Sequence, residues 1–70
     1  MKTRLSTHAQ VRMMERGIDI DKIKKVINNP DKTSLEFNGR VKVVKNVDGK
    51  PITVVYSKDK NVFVIITAIC

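Results

Sequence analysis

Seventy residues with a formal net charge of +7 and one cysteine describe a single small domain spanning residues 1–70. A chain of this size buries only about 60% of the surface its unfolded form exposes, and Cys70 has no second cysteine for an internal disulfide. No apolar run reaches the roughly 18 residues of a membrane span, the start Met1-Lys2-Thr3-Arg4 lacks the apolar core of a signal peptide, and a lone thiol fits a reducing compartment; the expectation is a soluble, cytoplasmic protein without a membrane partner.

In chain order, a first helix is expected from Ser6 or Thr7. Either side chain can accept hydrogen bonds from the orphan N–H groups of the first turn. Gly17 can take the left-handed conformation that ends the helix. Ile20 to Asn28 reads as a second helix with Asp19 as N-cap. Ile20, Ile23 and Ile27 share one face, Val26 lies at its edge, and Lys22, Lys24 and Lys25 point away. Asn28-Asn29-Pro30 stops it, because the residue before proline is pushed out of the helical region.

The remainder reads as strand. Thr33 to Phe37 alternates, and Asn38-Gly39 is a hairpin turn signal. Arg40 to Val47 follows, with its alternation broken at Val43-Val44, which suggests a bulge there or a strand covered on both faces. Asp48-Gly49 is a second turn. Pro51 to Lys58 places Ile52, Val54 and Tyr56 on one side. After a turn over residues 59–61, Val62 to Ile69 is apolar on both faces: Val62, Val64, Ile66 and Ala68 on one, Phe63, Ile65 and Ile69 on the other. A strand buried twice needs cover on both sides. The expected architecture is α+β: two N-terminal helices packed on a four-stranded antiparallel β-meander, with self-association through the last strand covering its second face.

Charge is unevenly spread. Residues 1–17 carry +3, residues 18–32 carry +1 and residues 33–70 carry +3. A basic balance of this kind favours a polyanionic partner, RNA above all. Only Phe37, Tyr56 and Phe63 can stack on bases, and there is no tryptophan. That weighs against a binder built on aromatic platforms.

The first helix holds the single histidine, His8, with Arg12 and Arg16 at spacings of four and eight. Residues four apart lie one above the other on a helix, so the three form a stripe. On the helical wheel Leu5, Ala9 and Met13 define the core-facing arc. Arg16 points into that arc, Arg12 beside it, and His8 sits at the flank. The plain alternatives are a structural histidine and surface arginines, with Arg12 pairing to Glu15 at i,i+3. The stripe is expected to face the sheet, with Arg40 or Tyr56 within a side-chain length.

The run Ser6-x-His8-Ala9-x-x-Arg12-Met13-x-x-Arg16-Gly17-Ile18 resembles the N-terminal signature of a widespread small prokaryotic domain of unknown function. Asn29-Pro30, Gly39-Arg40, Val54-Val55-Tyr56 and Ile65-Ile66-Thr67 extend the resemblance over nearly the whole chain. That family has been grouped with the barnase–EndoU–colicin–RelE (BECR) fold of metal-independent ribonucleases, which includes toxins of toxin–antitoxin and polymorphic toxin systems. The resemblance implies a RelE-like fold, RNA as substrate, no cofactor, and an antitoxin or immunity protein as partner.

Such cleavage needs a base for the 2′-hydroxyl, an acid for the leaving oxygen, and cations around the phosphate. His8 has the only side chain with an unperturbed pKa near neutrality. Arg12, Arg16 and Arg40 can make bidentate phosphate contacts. Tyr56 and Thr67 can donate hydrogen bonds. The expected catalytic set is therefore His8, Arg12, Arg16, Tyr56 and Thr67, and the expected nucleic-acid contacts are Arg12, Arg16, Arg40 and Lys42. With no second histidine, the other half of an acid–base pair falls to Tyr56, Glu36 or a lysine. No His/Cys/Asp/Glu cluster has metal-ligand spacing. Arg40 and Lys42 read equally well as ordinary strand charges, Tyr56 as a core residue with a tethered hydroxyl, and Thr67 as a strand former. The competing functional readings are a non-catalytic nucleic-acid- or protein-binding module on the same fold and a homo-oligomeric structural protein.

Overall fold

The computed structural model describes residues 2–69. The elements run β1 (Lys2–Leu5), α1 (Thr7–Arg16), α2 (Ile20–Asn28), β2 (Lys32–Leu35), β3 (Val41–Val47), β4 (Lys50–Asp59) and β5 (Val62–Ile69), with a short 3-10 turn at Phe37–Gly39. Cys70 lies outside the described residues.

Both helices begin and end where their caps dictate. Ser6 has extended backbone and its Oγ accepts from the Ala9 N–H at 3.0 Å. Gly17 closes α1 at φ 66°, and the Ile18 N–H reaches back to the Met13 carbonyl at 2.9 Å. That ending needs a residue free to adopt positive φ. The Asp19 carboxylate caps α2 by accepting from the Lys22 N–H at 2.9 Å.

The sheet has five strands in the order β1-β5-β4-β3-β2. The expected four-stranded meander is present as β2 to β5, but the sheet is mixed. β1 adds a fifth strand, parallel to β5, with Lys2 opposite Val62 and Leu5 opposite Ile65. β5 is thus an interior strand with both edges paired. Two turns take the geometry their sequences favour: Asn38-Gly39 and Asp48-Gly49 have positive φ at both positions.

A second correction concerns β5. Val55 pairs with Thr67, yet Tyr56 pairs with Ile65, so Ile66 is an inserted residue. One extra residue reverses the alternation beyond it. The bulge lies here and not at Val43-Val44. Phe63, Ile65 and Ala68 consequently share the helix side, and Val62, Val64, Thr67 and Ile69 share the other. Ser6 ties the bulge to α1. Its N–H donates to the Ile65 carbonyl at 3.1 Å and its hydroxyl donates to the Ile66 carbonyl at 2.9 Å.

The core lies between helices and sheet. α1 rests on β5 and β1, and α2 on β3 and β4. Ala9, Met13, Ile18, Ile23, Val26 and Ile27 pack against Val43, Ile52, Val54, Ile65 and Ala68. Val26 is fully buried and not at the margin of its face. Leu35 and Phe37 stand outside this core at 84% and 89% exposure. Phe37 belongs to the turn, so the expected strand through Phe37 stops at Leu35.

The opposite face of the sheet carries Val44, Val55, Val64 and Ile69 with Thr53, Ser57 and Thr67, as the cross-strand pairing requires. Neither α1 nor α2 covers it among the described residues. A second copy could not add to the edges of β5, since both are occupied; to cover β5 it would stack on this face.

Thr3 offers a direct test of the parallel strand. It pairs with Phe63, and its Oγ1 is buried without a hydrogen-bond partner among the described residues. A buried, unsatisfied hydroxyl is costly, and valine keeps the β-branched shape. Thr3→Val is expected to raise stability by about 1 kcal/mol, roughly 4–8 °C in thermal midpoint for a domain this small. A lower midpoint in a circular-dichroism melt would contradict this placement of Thr3.

Candidate nucleic-acid interface

α1 positions the stripe. Ala9 and Met13 are its buried residues. Residues at successive helical turns then fall beside them, and His8, Arg12 and Arg16 occupy one flank. His8 and Arg16 are exposed, while Arg12 is half-buried. The Arg12 Nη1 lies 4.0 Å from the Glu15 Oε1, both side chains being substantially open to solvent. A contact of that length between exposed groups is weak and screened by salt.

The stripe runs from the level of Ile65, midway along β5, to the end of the sheet where β3 turns into β4. Its start is fixed by Ser6, which holds the first turn of α1 to Ile65 and Ile66. Tyr56, on β4, is the cross-strand partner of both Ile65 and Val41. The first turn of α1, with His8, therefore sits at the level of Tyr56, and Arg40 immediately precedes Val41. Arg16 is at the other end. It lines a groove of about 200 Å3 with Lys22, Lys50, Asp48 and Ile52. Ile52 and Tyr56 are four residues apart on one strand, or about 13 Å.

Tyr56 is half-buried and packs against the core. Its ring meets Phe63 edge to face, centroids 5.2 Å apart. The Lys58 ammonium lies 5.5 Å from the Phe63 centroid. Two aromatic rings with a cation beside them thus lie on the helix side of the sheet, toward the end where Arg40 enters β3.

Thr67 and Lys42 lie elsewhere. Both pair with Val55, on the face away from the helices. Tyr56 and Thr67 have the thickness of the sheet between them. The five residues expected to share one phosphate are distributed over two faces and along the length of β4. Among the described residues no group of three His, Cys, Asp or Glu side chains could hold a metal ion. No described helix is long and apolar enough to cross a membrane.

Two contributors carry weak sequence signals. Lys22 looks like an outward-facing helix charge and Lys50 like a turn residue, yet the fold places both beside Arg16. Lys58 reads as a strand-end charge, and only its pairing with Phe63 across β4 and β5 reveals the cation–aromatic contact.

A family model described as a domain of unknown function, DUF4258, matches residues 5–69. No curated protein and no solved structure matches the chain.

Proposed function

This chain belongs to the DUF4258 family, and we propose that it is an RNA-binding domain that tracks the phosphate backbone along the α1 side of the sheet. The observation that carries this reading is the spread of its cations. Arg12 lies along α1, Arg16 ends it beside Lys22 and Lys50, and Arg40 enters β3 next to the level of Tyr56, so the arginines are spread out instead of converging on a point. An extended polyanion matches such a track better than a single small anion does. The Tyr56–Phe63 pair with Lys58 offers an aromatic edge for an unpaired base near the Arg40 end. Kinship with the BECR fold belongs to the same proposal, and so does an antitoxin-like protein partner. Their support is the motif from Ser6 to Ile18 and the order of two helices before an antiparallel meander.

Metal-independent RNA cleavage is a second reading, favoured by one placement. His8 lies in the first turn of α1, at the level of Tyr56, with Arg12 one turn further along. His8 would move the proton and Arg12 would offset phosphate charge. Thr67, on the other face, has no part in it.

Fluorescence anisotropy with a labelled single-stranded RNA tests binding, with a micromolar or tighter complex expected at low salt. Incubating the purified protein with total RNA in EDTA tests cleavage, beside a His8→Ala control. Products that vanish with His8→Ala support cleavage. Intact RNA leaves the binding domain alone, and no complex at low salt overturns the proposal.

A further inference from the structure

We propose that the face of the sheet turned away from the helices docks an acidic amphipathic helix of a partner protein. This face lies opposite the RNA track, and its partner does not depend on RNA binding.

Cross-strand pairing lays the face out in rows. Lys32, Val44, Thr53 and Ile69 form one row, and Lys42, Val55 and Thr67 the next. Ser57, Val64 and Arg4 follow, then Asp59, Val62 and Lys2. The middle is valine, isoleucine, threonine and serine, and the rim is lysine and arginine. Val44, Val55 and Val64 run diagonally over β3, β4 and β5, with Lys42 on one side of that line and Arg4 on the other. Strand spacing and rise make the line about 16 Å long, the length of about three helical turns. Lys2, Arg4, Lys32 and Lys42 are exposed, and none is in an ion pair among the described residues. Asp59, at one end, is the one carboxylate in these rows. A helix with an apolar stripe would take the valines out of water. Carboxylates on both its flanks would reach Lys42 and Arg4.

Three other occupants fit less well. A second copy would set one cationic rim against another. Single-stranded RNA would find no ring to stack on, because Tyr56 and Phe63 lie on the helix side and Phe37 in the turn. A membrane surface would meet short side chains flush with the sheet, with no phenylalanine or tryptophan to insert.

The probe is a synthetic peptide of about five helical turns, with leucine at every third or fourth position and glutamate on both flanks of that stripe. It is titrated into the 15N-labelled full chain and followed by NMR and by fluorescence anisotropy, beside a scrambled peptide of the same composition. Saturable amide shifts at Val44, Val55 and Val64 are expected, and the scrambled peptide should bind about tenfold more weakly for want of a continuous stripe. Arg4→Ala/Lys42→Ala should weaken the peptide by about 3- to 10-fold, the effect of two surface ion pairs. Lys24→Ala/Lys25→Ala, which removes equal charge, should leave it close to wild type. Val55→Lys should abolish binding, with a thermal melt to show that it is folded; if it does not fold, the rim variant decides. Shifts confined to α1, or equal binding of the scrambled peptide, overturn the proposal and leave a diffuse basic surface. A concentration-dependent dimer that shifts the same valines overturns it in favour of a second copy. So do single-stranded RNA or phosphatidylglycerol-containing vesicles that shift them when the peptide does not, in favour of those ligands. If the peptide binds this face and RNA binds nowhere, the RNA reading fails and the docking face stands.

Discussion

Replacing Ser6 by alanine is expected to lower the stability of this domain by about 2–4 kcal/mol. Its hydroxyl has two partners. The oxygen accepts from the Ala9 N–H and so caps α1, and the proton goes to the Ile66 carbonyl at the bulge. Losing a cap alone costs about 0.5–2 kcal/mol. Leaving a partly buried carbonyl unpaired adds about 1–3 kcal/mol. A domain of this length holds only about 3.5–10 kcal/mol in all, so the thermal midpoint should fall by roughly 10–20 °C. Ser6→Asp separates the two contributions. A carboxylate still accepts from Ala9 but has no proton for Ile66. It should recover the capping part and leave the bulge unlatched. Thr7→Ala, one residue on and exposed, should change little. A midpoint shift below about 3 °C for Ser6→Ala would show that the latch contributes nothing.

Ser6 also marks the boundary between what the sequence discloses and what it does not. Its role as a cap follows from residue type and position alone. Asp19, Gly17, Asn29-Pro30 and the two Gly-containing hairpins are legible for the same reason, because each acts within a few residues. The bond from Ser6 to Ile66 spans 60 positions. The parallel pairing of β1 with β5 is equally remote, and four residues are too few to show a period. The bulge is hidden by composition. From Val62 to Ile66 every residue is apolar, so nothing fixes which face each one takes. Thr67 is the sole polar residue of β5, and one mark does not reveal a change of phase.

The candidate interface divides in the same way. A helical wheel gives the direction of a side chain around α1, and it places His8, Arg12 and Arg16 on one flank. It does not say how far along the sheet each turn reaches. Arg16 and Arg40 therefore look like neighbours in the sequence pattern and lie toward opposite ends of β4 in the fold. Tyr56 and Thr67 both follow from strand motifs, but their faces depend on the bulge. The groove around Arg16 depends on Lys22 and Lys50, which only the tertiary fold brings together.

Affinity for single-stranded RNA is expected to fall steeply with salt, and to do so through particular residues. Each neutralised phosphate releases condensed counterions, giving a log–log slope of about −0.7 per contact on single strands. A track of about three to five contacts then gives a slope of roughly −2 to −3.5, or about a 16- to 130-fold loss of affinity between 50 and 200 mM salt. Arg12→Ala/Arg16→Ala should flatten the slope by about one to one and a half units, since each arginine contributes one contact. Lys24→Ala/Lys25→Ala, on the outer side of α2, should leave it nearly unchanged. Both double variants drop the same charge, so a difference between them reads position and not net charge. Thermal melts keep the comparison fair, because Arg16 is itself held by an interaction within the chain. Equal weakening by the two variants, with both folded, would mean a diffuse basic surface. The α1 flank would then lose its claim as the track, and the cleavage reading at His8 would lose the phosphate contact it depends on.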